Sequence, residues 1–121
     1  MKIVSVVNRS SPSSTPLKAG VCDTFWLKFR GLMFQKVLDE YSGILLVEKT
    51  DNIVNTSIHM LFMNFDIAAI WIDSQNTIVD MKIARRWRPV YKPIAPAKYV
   101  LEAHPNRISD FKIGDTIEIN P

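Results

Sequence analysis

Short apolar runs separated by turn residues dominate the sequence and limit the folds open to it. The runs that alternate or are rich in β-branched residues are predicted to be strands: 1–8, 43–48, 66–73, 77–83, 98–103 and 116–120. Residues 53–60 alternate more loosely and are predicted as a further strand. Only Ser74-Gln75-Asn76 separates the runs 66–73 and 77–83, which predicts a β-hairpin. Because helices do not separate the strands, the pattern disfavours a parallel α/β fold.

One segment near the start of the chain has helical spacing instead. Asp23-Thr24 offers an N-cap. The apolar side chains that follow repeat at i, i+4, i+7 and i+8: Phe25, Phe29, Leu32 and Met33. This spacing predicts one helical face buried in the core. The pattern as a whole therefore predicts a mainly β fold, a sandwich or a partly closed barrel with one short N-terminal helix.

Two further segments are predicted from their prolines and caps. Residues 85–96 contain three prolines, which forbid a central strand and favour an extended loop. Asn106 is predicted to cap a short helical turn that reaches Phe111. Both segments lie between predicted strands and leave the β assignment unchanged.

Size and composition indicate one domain spanning residues 1–121, with 47% hydrophobic and 22% charged residues. The net charge of +3 is too small to indicate a polyanionic partner by itself. Cys22 is the single cysteine, which excludes an internal disulfide and any multi-cysteine metal site. No run approaches the roughly 20 apolar residues that span a bilayer, so no membrane partner is expected. The apolar run 3–7 is too short for a signal peptide, and the expected location is cytoplasmic.

Three motifs in order resemble a known prokaryotic family. They are FRGLMF at 29–34, SIHMLFMNFDIAAIWID at 57–73, and PAKYVLE at 96–102 followed by Gly114-Asp115. Together they resemble the uncharacterised "domain of unknown function 192" family over residues 17–119. The resemblance implies a compact, mainly β, jelly-roll-like fold and implies no activity. Many members look exported or membrane-anchored, and this chain departs from them by lacking a signal segment.

A second departure from the family concerns His59. Members often carry Trp at this place, in a "WM" rather than an "HM" version of the motif. The resemblance therefore weighs against His59 as an obligatory catalytic base or metal ligand. A soft-metal site built on His59 and Met60, with Met33, Cys22 and His104 as further donors, is another alternative, but methionines also fill irregular cores. No metal and no cofactor is predicted.

Three charged residues lie inside apolar segments: Arg30, Asp66 and Glu102. Buried charges are costly unless they are paired, so a structural ion pair of Arg30 with Glu102 or Asp66 is the first expectation. The functional alternative makes Asp66 and Glu102 an acid/base pair of a hydrolase.

The segment 85–92 is the one basic and aromatic patch, with Arg86, Trp87 and Arg88 at its centre. Guanidinium groups pair with phosphate or carboxylate, and Trp stacks on a base or a sugar ring. Nucleic-acid binding through this loop is therefore kept as an alternative. The structural expectation is a solvated loop whose Trp87 packs inward.

These observations favour a non-enzymatic binding or accessory module for a sugar or an anionic metabolite, with a protein partner also open. The predicted site joins a concave β face bearing Arg30, Met60, Asp66 and Glu102 to a rim formed by Arg86, Trp87 and Arg88. The basis for this prediction is that β folds of this kind commonly bind small ligands. The sequence does not specify the ligand or the oligomeric state.

Overall fold

The computed structural model describes residues 2–121 and contains seven strands and two short helices. The strands are β1 (Ile3–Asn8), β2 (Leu17–Cys22), β3 (Ser42–Asn52), β4 (Ile67–Ile72), β5 (Ile78–Ala84), β6 (Ala97–Ala103) and β7 (Ile117–Asn120). The helices are α1 (Phe25–Arg30) and a 3₁₀ helix (Pro105–Asp110). The mainly β prediction is confirmed.

All seven strands belong to one sheet, in the order β5-β4-β6-β3-β2-β1-β7. The β2–β3 pair is parallel, with α1 in its crossover, and the other described pairs are antiparallel. The sheet curls until its two ends approach, where Thr77 bridges to Thr116 and the Ile78 amide donates to the Asp115 carbonyl at 3.0 Å. The architecture is therefore a curled half-barrel formed by one sheet, in agreement with the predicted partly closed barrel.

The curl gives the sheet two buried faces. The concave face packs Leu45, Ile70 and Leu101 against residues of the terminal strands and Phe111. The convex face buries Leu46, Trp71 and Val100 under the connection between β3 and β4. All six residues of β4 are buried because both faces of this strand are covered. The candidate site lies on the convex face, between the sheet and the connection from β3 to β4.

Three details of the sequence prediction are wrong. Residues 17–22 form β2, which was not predicted, and residues 53–60 form a turn-rich connection with a single bridge from Ile58 to Tyr91. This connection is held by local polar contacts, including the Trp71 indole donating to the Thr56 carbonyl at 2.7 Å. The third error concerns the cap of the 3₁₀ helix, which was predicted to be Asn106. The cap is His104, whose Nδ1 accepts from the Asn106 amide, and Pro105 occupies the first position of the helix.

The buried helical face was also mispredicted. The helix α1 ends at Arg30, and Phe25 and Phe29 are 81% and 46% exposed. Leu32 and Met33 are buried, as expected, but they lie beyond the helix. Gly31, at φ 48°, ends the helix before a second turn can form a continuous apolar stripe.

A close backbone approach between β3 and β6 supports a stability prediction. A Cβ added at Gly43 would lie 2.3 Å from the Glu102 carbonyl oxygen, and that atom belongs to a paired strand. We expect Gly43→Ala to lower the free energy of unfolding by about 1–3 kcal/mol or more, because backbone must move. Urea unfolding measures this, with the adjacent Ser42→Ala as control. Equal, small losses in both variants would show that the strands separate freely.

Candidate functional site

A cavity of about 380 Å³ lies between α1, the 55–59 segment and the convex face of the sheet. Leu46, Val100 and Glu102 come from strands β3 and β6, and Phe25 and Phe29 come from α1. Apolar side chains thus form much of the wall, with a few polar groups among them. This composition is typical of small-molecule sites.

Glu102 is the most unusual group in this cavity. Its residue is 5% exposed, and no side chain or backbone donor among residues 2–121 hydrogen-bonds to its carboxyl group. Burial raises the pKa of Glu102 to about 8, because the charged form loses its hydration without gaining a partner. At neutral pH the carboxyl group is therefore mostly protonated and can both donate and accept a hydrogen bond.

Gly31 leaves the space in front of Glu102 open. The residue has φ 48°, a conformation that glycine adopts readily, and its amide donates to the Leu27 carbonyl at 2.9 Å. A Cβ at this position would lie 3.7 Å from Glu102 Oε1 and 3.5 Å from Ile44 Cδ1. The RGLM segment thus turns the chain over the carboxyl group without a side chain to cover it.

Two contacts hold α1 over the sheet. Lys28 forms an ion pair with Glu48 of β3 at the side of the cavity. His59 Nε2 lies 2.8 Å from the Phe29 carbonyl oxygen, and the two rings are 5.1 Å apart. Because a carbonyl only accepts, the proton is assigned to Nε2. In the neutral ring His59 Nδ1 is then an acceptor, and it is buried without a partner among the described residues.

Asp66 lies in a different place from Glu102. Its carboxylate accepts from the Arg86 amide at 2.9 Å, from Arg86 Nε at 3.1 Å and from Arg85 Nη1 at 3.3 Å. The Arg86 backbone N–H is the main cause that lowers the pKa of Asp66. Asp66 lines a second cavity, of about 310 Å³, and Glu102 does not. The predicted Asp66–Glu102 acid/base pair is therefore not assembled.

The predicted ion pair of Arg30 is also wrong. Arg30 is exposed at the end of α1, and it comes within salt-bridge distance of neither Glu102 nor Asp66 in the described chain. The short helix leaves its last residue at the rim of the cavity, where Arg30 is exposed to solvent. Arg30 and Glu102 therefore share one cavity without pairing.

The other predicted site residues separate into core and surface. Met60 is 1% exposed and belongs to the convex-face core, so it is not available as a ligand contact. Arg86 is engaged by Asp66, and the Arg88 guanidinium carbon lies 5.0 Å from the centre of the Tyr91 ring. Trp87 was predicted to pack inward, but it is 54% exposed. It has φ 68°, and this left-handed turn directs the indole outward.

Trp87 belongs to an exposed aromatic cluster that the sequence analysis missed. Its ring meets Phe62 edge-on at 5.2 Å, and Phe62 stacks on Phe34 at 5.3 Å. All three residues have positive φ, between 60° and 68°. Bulky residues rarely adopt this conformation, because their Cβ approaches the backbone. Three left-handed turns therefore bring aromatic side chains together on the surface.

Reasoning from the sequence also missed Lys28, Glu48 and Gly31 as parts of the cavity. The signal for Gly31 was its place inside an otherwise helical pattern, where glycine often marks a turn. Lys28 and Glu48 lie 20 residues apart in different elements, so no local pattern relates them.

Two further observations concern metal binding and membrane-spanning helices. Within residues 2–121, no three His, Cys, Asp or Glu side chains are grouped so as to hold a metal ion. No helix of the described chain has the length and hydropathy needed to cross a membrane.

Solved structures with the same fold include two bacterial proteins. A protein of unknown function from Novosphingobium aromaticivorans matches with a TM-score of 0.82 and 18% identity, over 96% of this chain and 83% of its own. A putative transcription regulator from Sinorhizobium meliloti matches with a TM-score of 0.84 and 17% identity, over 97% and 92%. At these identities the likeness concerns the fold alone.

Relatives in sequence are UPF0127 proteins of archaea. The protein of Thermococcus gammatolerans is 43% identical over 99 residues, which are 80% of this chain and 63% of the relative. The protein of Thermococcus kodakarensis is 35% identical over 118 residues, 96% of this chain and 73% of the relative. This chain thus spans less than two thirds of the first relative's length. The DUF192 family model, described as an uncharacterized ACR, matches residues 6–119, and the chain belongs to this family of unknown function.

Proposed function

We propose that this domain binds a small organic molecule in the cavity beneath α1. The observation that carries the proposal is the Glu102 carboxyl group, which is buried, faces the cavity and has no hydrogen-bond partner within residues 2–121. The carboxyl group is open to the cavity, since the one fully buried side-chain atom without a partner among residues 2–121 is His59 Nδ1. A ligand in the cavity could therefore hydrogen-bond to Glu102, and such a ligand supplies a reason for the group to be there.

The size of the cavity limits the ligand. If each heavy atom takes the volume of a liquid water, roughly 30 Å³, about 380 Å³ holds about twelve heavy atoms. A monosaccharide has this size, in agreement with the sugar named from the sequence. The exposed rings of Phe25 and Phe29 at the rim suit the apolar face of a sugar or another ring.

The groups around Glu102 favour a ligand group that is uncharged or cationic there. Lys28 is already paired with Glu48, and Glu102 adds a second carboxyl group to the same wall. An anionic group would pair with Arg30, which lies exposed at the rim of the cavity. At Glu102 itself we therefore propose an uncharged or a cationic group.

The contacts of the acidic residues argue against a glycosidase-like carboxyl pair. Asp66 and Glu102 line different cavities, and Glu48 is ion-paired with Lys28. We therefore propose binding without hydrolysis. The proposal retains a cytoplasmic location, supported by the free thiol of Cys22.

A thermal-shift screen with a cavity-blocking variant tests the proposal. The screen contains monosaccharides, polyols, primary amines and their alcohols, each of about twelve heavy atoms or fewer. A ligand at 100 times its dissociation constant adds roughly 2.7 kcal/mol, which for this size raises the melting midpoint by about 10 °C. We expect Asn55→Trp to abolish the shift, because Asn55 lies exposed on the cavity wall and a larger ring would occupy the opening.

The control variant is Thr50→Trp, which adds the same ring at an exposed position of β3 outside the cavity. It is expected to keep the shift of the native protein. A screen without hits, or a hit that Asn55→Trp leaves unchanged, would overturn the proposal.

A further inference from the structure

We infer that the ligand of the cavity carries a protonated amino group, which donates hydrogen bonds to the carboxyl group of Glu102. This inference rests on the proposed function and specifies the chemical class of the ligand. Three observations support it: Glu102 lacks a hydrogen-bond donor, the nearby Lys28 is already ion-paired, and aromatic rings line the rim of the cavity.

The unmet hydrogen-bonding demand around the cavity is a demand for donors. The Glu102 carboxyl group lines the cavity and has no donor in the described chain. The one fully buried side-chain atom without a partner among residues 2–121 is His59 Nδ1, an acceptor in the neutral ring. His59 Nδ1 is fully buried, so we assign it no direct contact with the ligand. An ammonium group has three donors and no acceptor, and it therefore matches the ionised form of Glu102 better than a hydroxyl group does.

The other titratable groups near Glu102 leave its charge uncompensated. Lys28 is paired with Glu48, and His59 directs its Nε2–H at the Phe29 carbonyl. Burial raises the pKa of the neighbouring Cys22 thiol to about 11, so the thiol is uncharged. Arg30 stays exposed and unpaired with Glu102 within residues 2–121. An ammonium group is therefore the partner that the ionised carboxylate lacks.

The rim of the cavity suits the remainder of such a ligand. Phe25 and Phe29 stack with their ring centres 6.3 Å apart, and both rings are exposed to solvent. An ammonium group on its way to Glu102 would pass these rings, which attract cations. The apolar wall formed by Leu46 and Val100 then packs against a short carbon chain or a single ring.

Binding of an ammonium group must be linked to the proton on Glu102. Burial raises the pKa of this group to about 8, so at pH 6–7 the empty cavity holds a neutral carboxyl group. Formation of the ion pair releases that proton to water. The affinity should therefore rise about tenfold from pH 6 to pH 7 and level off above pH 8, while an aliphatic amine stays charged to about pH 10.

The test compares amines with alcohols of the same skeleton: cyclohexylamine with cyclohexanol, and benzylamine with benzyl alcohol. Dissociation constants are measured by NMR titration of the native protein at pH 6, 7 and 8. We expect each amine to bind at least tenfold more tightly than its alcohol at pH 8, with the stated pH dependence. Glu102→Gln should remove both effects, and Asp66→Asn, in the other cavity, should keep them.

The two proposals fail in different ways. If the alcohols bind as tightly as the amines, and Asn55→Trp prevents both, the cavity is a binding site and the inference about the amino group is wrong. The same holds if the preference for amines survives in Glu102→Gln. If no compound of either kind binds in a manner sensitive to Asn55→Trp, both the inference and the proposed function are overturned.

Discussion

Replacement of Arg107 by leucine is expected to lower the free energy of unfolding by about 3–5 kcal/mol. Arg107 is 7% exposed in the 3₁₀ helix, and its Nε donates to Asp110 at 2.6 Å. Its Nη1 donates to the Glu40 carbonyl at 2.5 Å, and its Nη2 donates to the Thr15 carbonyl. Leucine would leave two carbonyl groups and one carboxylate without these donors, and each loss is costly where water is excluded.

Urea unfolding measures this loss, and Arg9→Leu is the matched control. Arg9 forms a 2.9 Å ion pair with Glu118, but both side chains are largely exposed. Exposed ion pairs contribute about 0–1 kcal/mol, so the control should change little. Similar losses in the two variants would contradict the anchoring role of Arg107.

The free energy of unfolding is expected to fall by several kcal/mol as the pH rises from about 5 to 8. Burial raises the pKa of Glu102 to about 8 in the folded protein, whereas the unfolded chain has a value near 4.3. The folded state thus holds the proton more tightly. Its stabilising effect is complete below about pH 4 and is lost as the pH rises through the folded value.

Glu102→Gln removes this titration and should flatten the curve between pH 5 and 8. The variant should be more stable than the native protein at pH 8, where the native side chain must ionise without a partner. The Asp66 pKa is lowered and acts only in acid, and the Cys22 pKa of about 11 acts only in alkali, so neither disturbs the interval. Chemical denaturation at several pH values measures the effect, with Glu118→Gln, at a half-buried position outside the cavity, as control. Parallel curves for Glu102→Gln and the native protein would contradict the prediction.

Most of the sheet could be predicted from the sequence because its strands carry local signals. The β4–β5 hairpin follows from two apolar runs and the turn between them, and its observed register joins Ile67 to Ala84. Strand β2 was missed because Lys18, Ala19 and Gly20 have low strand propensity. It forms because β1 and β3 supply partners on both sides. The fold determines these partners, so the sequence of residues 17–22 alone does not indicate them.

The candidate site could be predicted only in part. Glu102 was named because a charge in an apolar run is unusual, and the structure does bury it. Its supposed partner Asp66 carries the same kind of signal but lies beside Arg86, because the order of the strands, which the sequence does not reveal, decides which segments meet. The prediction that Phe25 and Phe29 are buried was wrong for another reason. Their spacing fits a buried face, but six residues form too short a helix to cover the sheet.

The pairing of β1 with β7 has a consequence for how the protein folds. Ser5 lies opposite Asn120, so this ladder joins the first and last strands described, which are separated by all the others along the chain. Contacts of such high sequence separation carry a large loop-closure entropy, and proteins rich in them fold in milliseconds to seconds. During synthesis β1 has only β2 beside it until β7 emerges, and its free edge is open to pairing with another chain. The slow, late closure of this seam is therefore the stage at which the nascent protein is most exposed to aggregation.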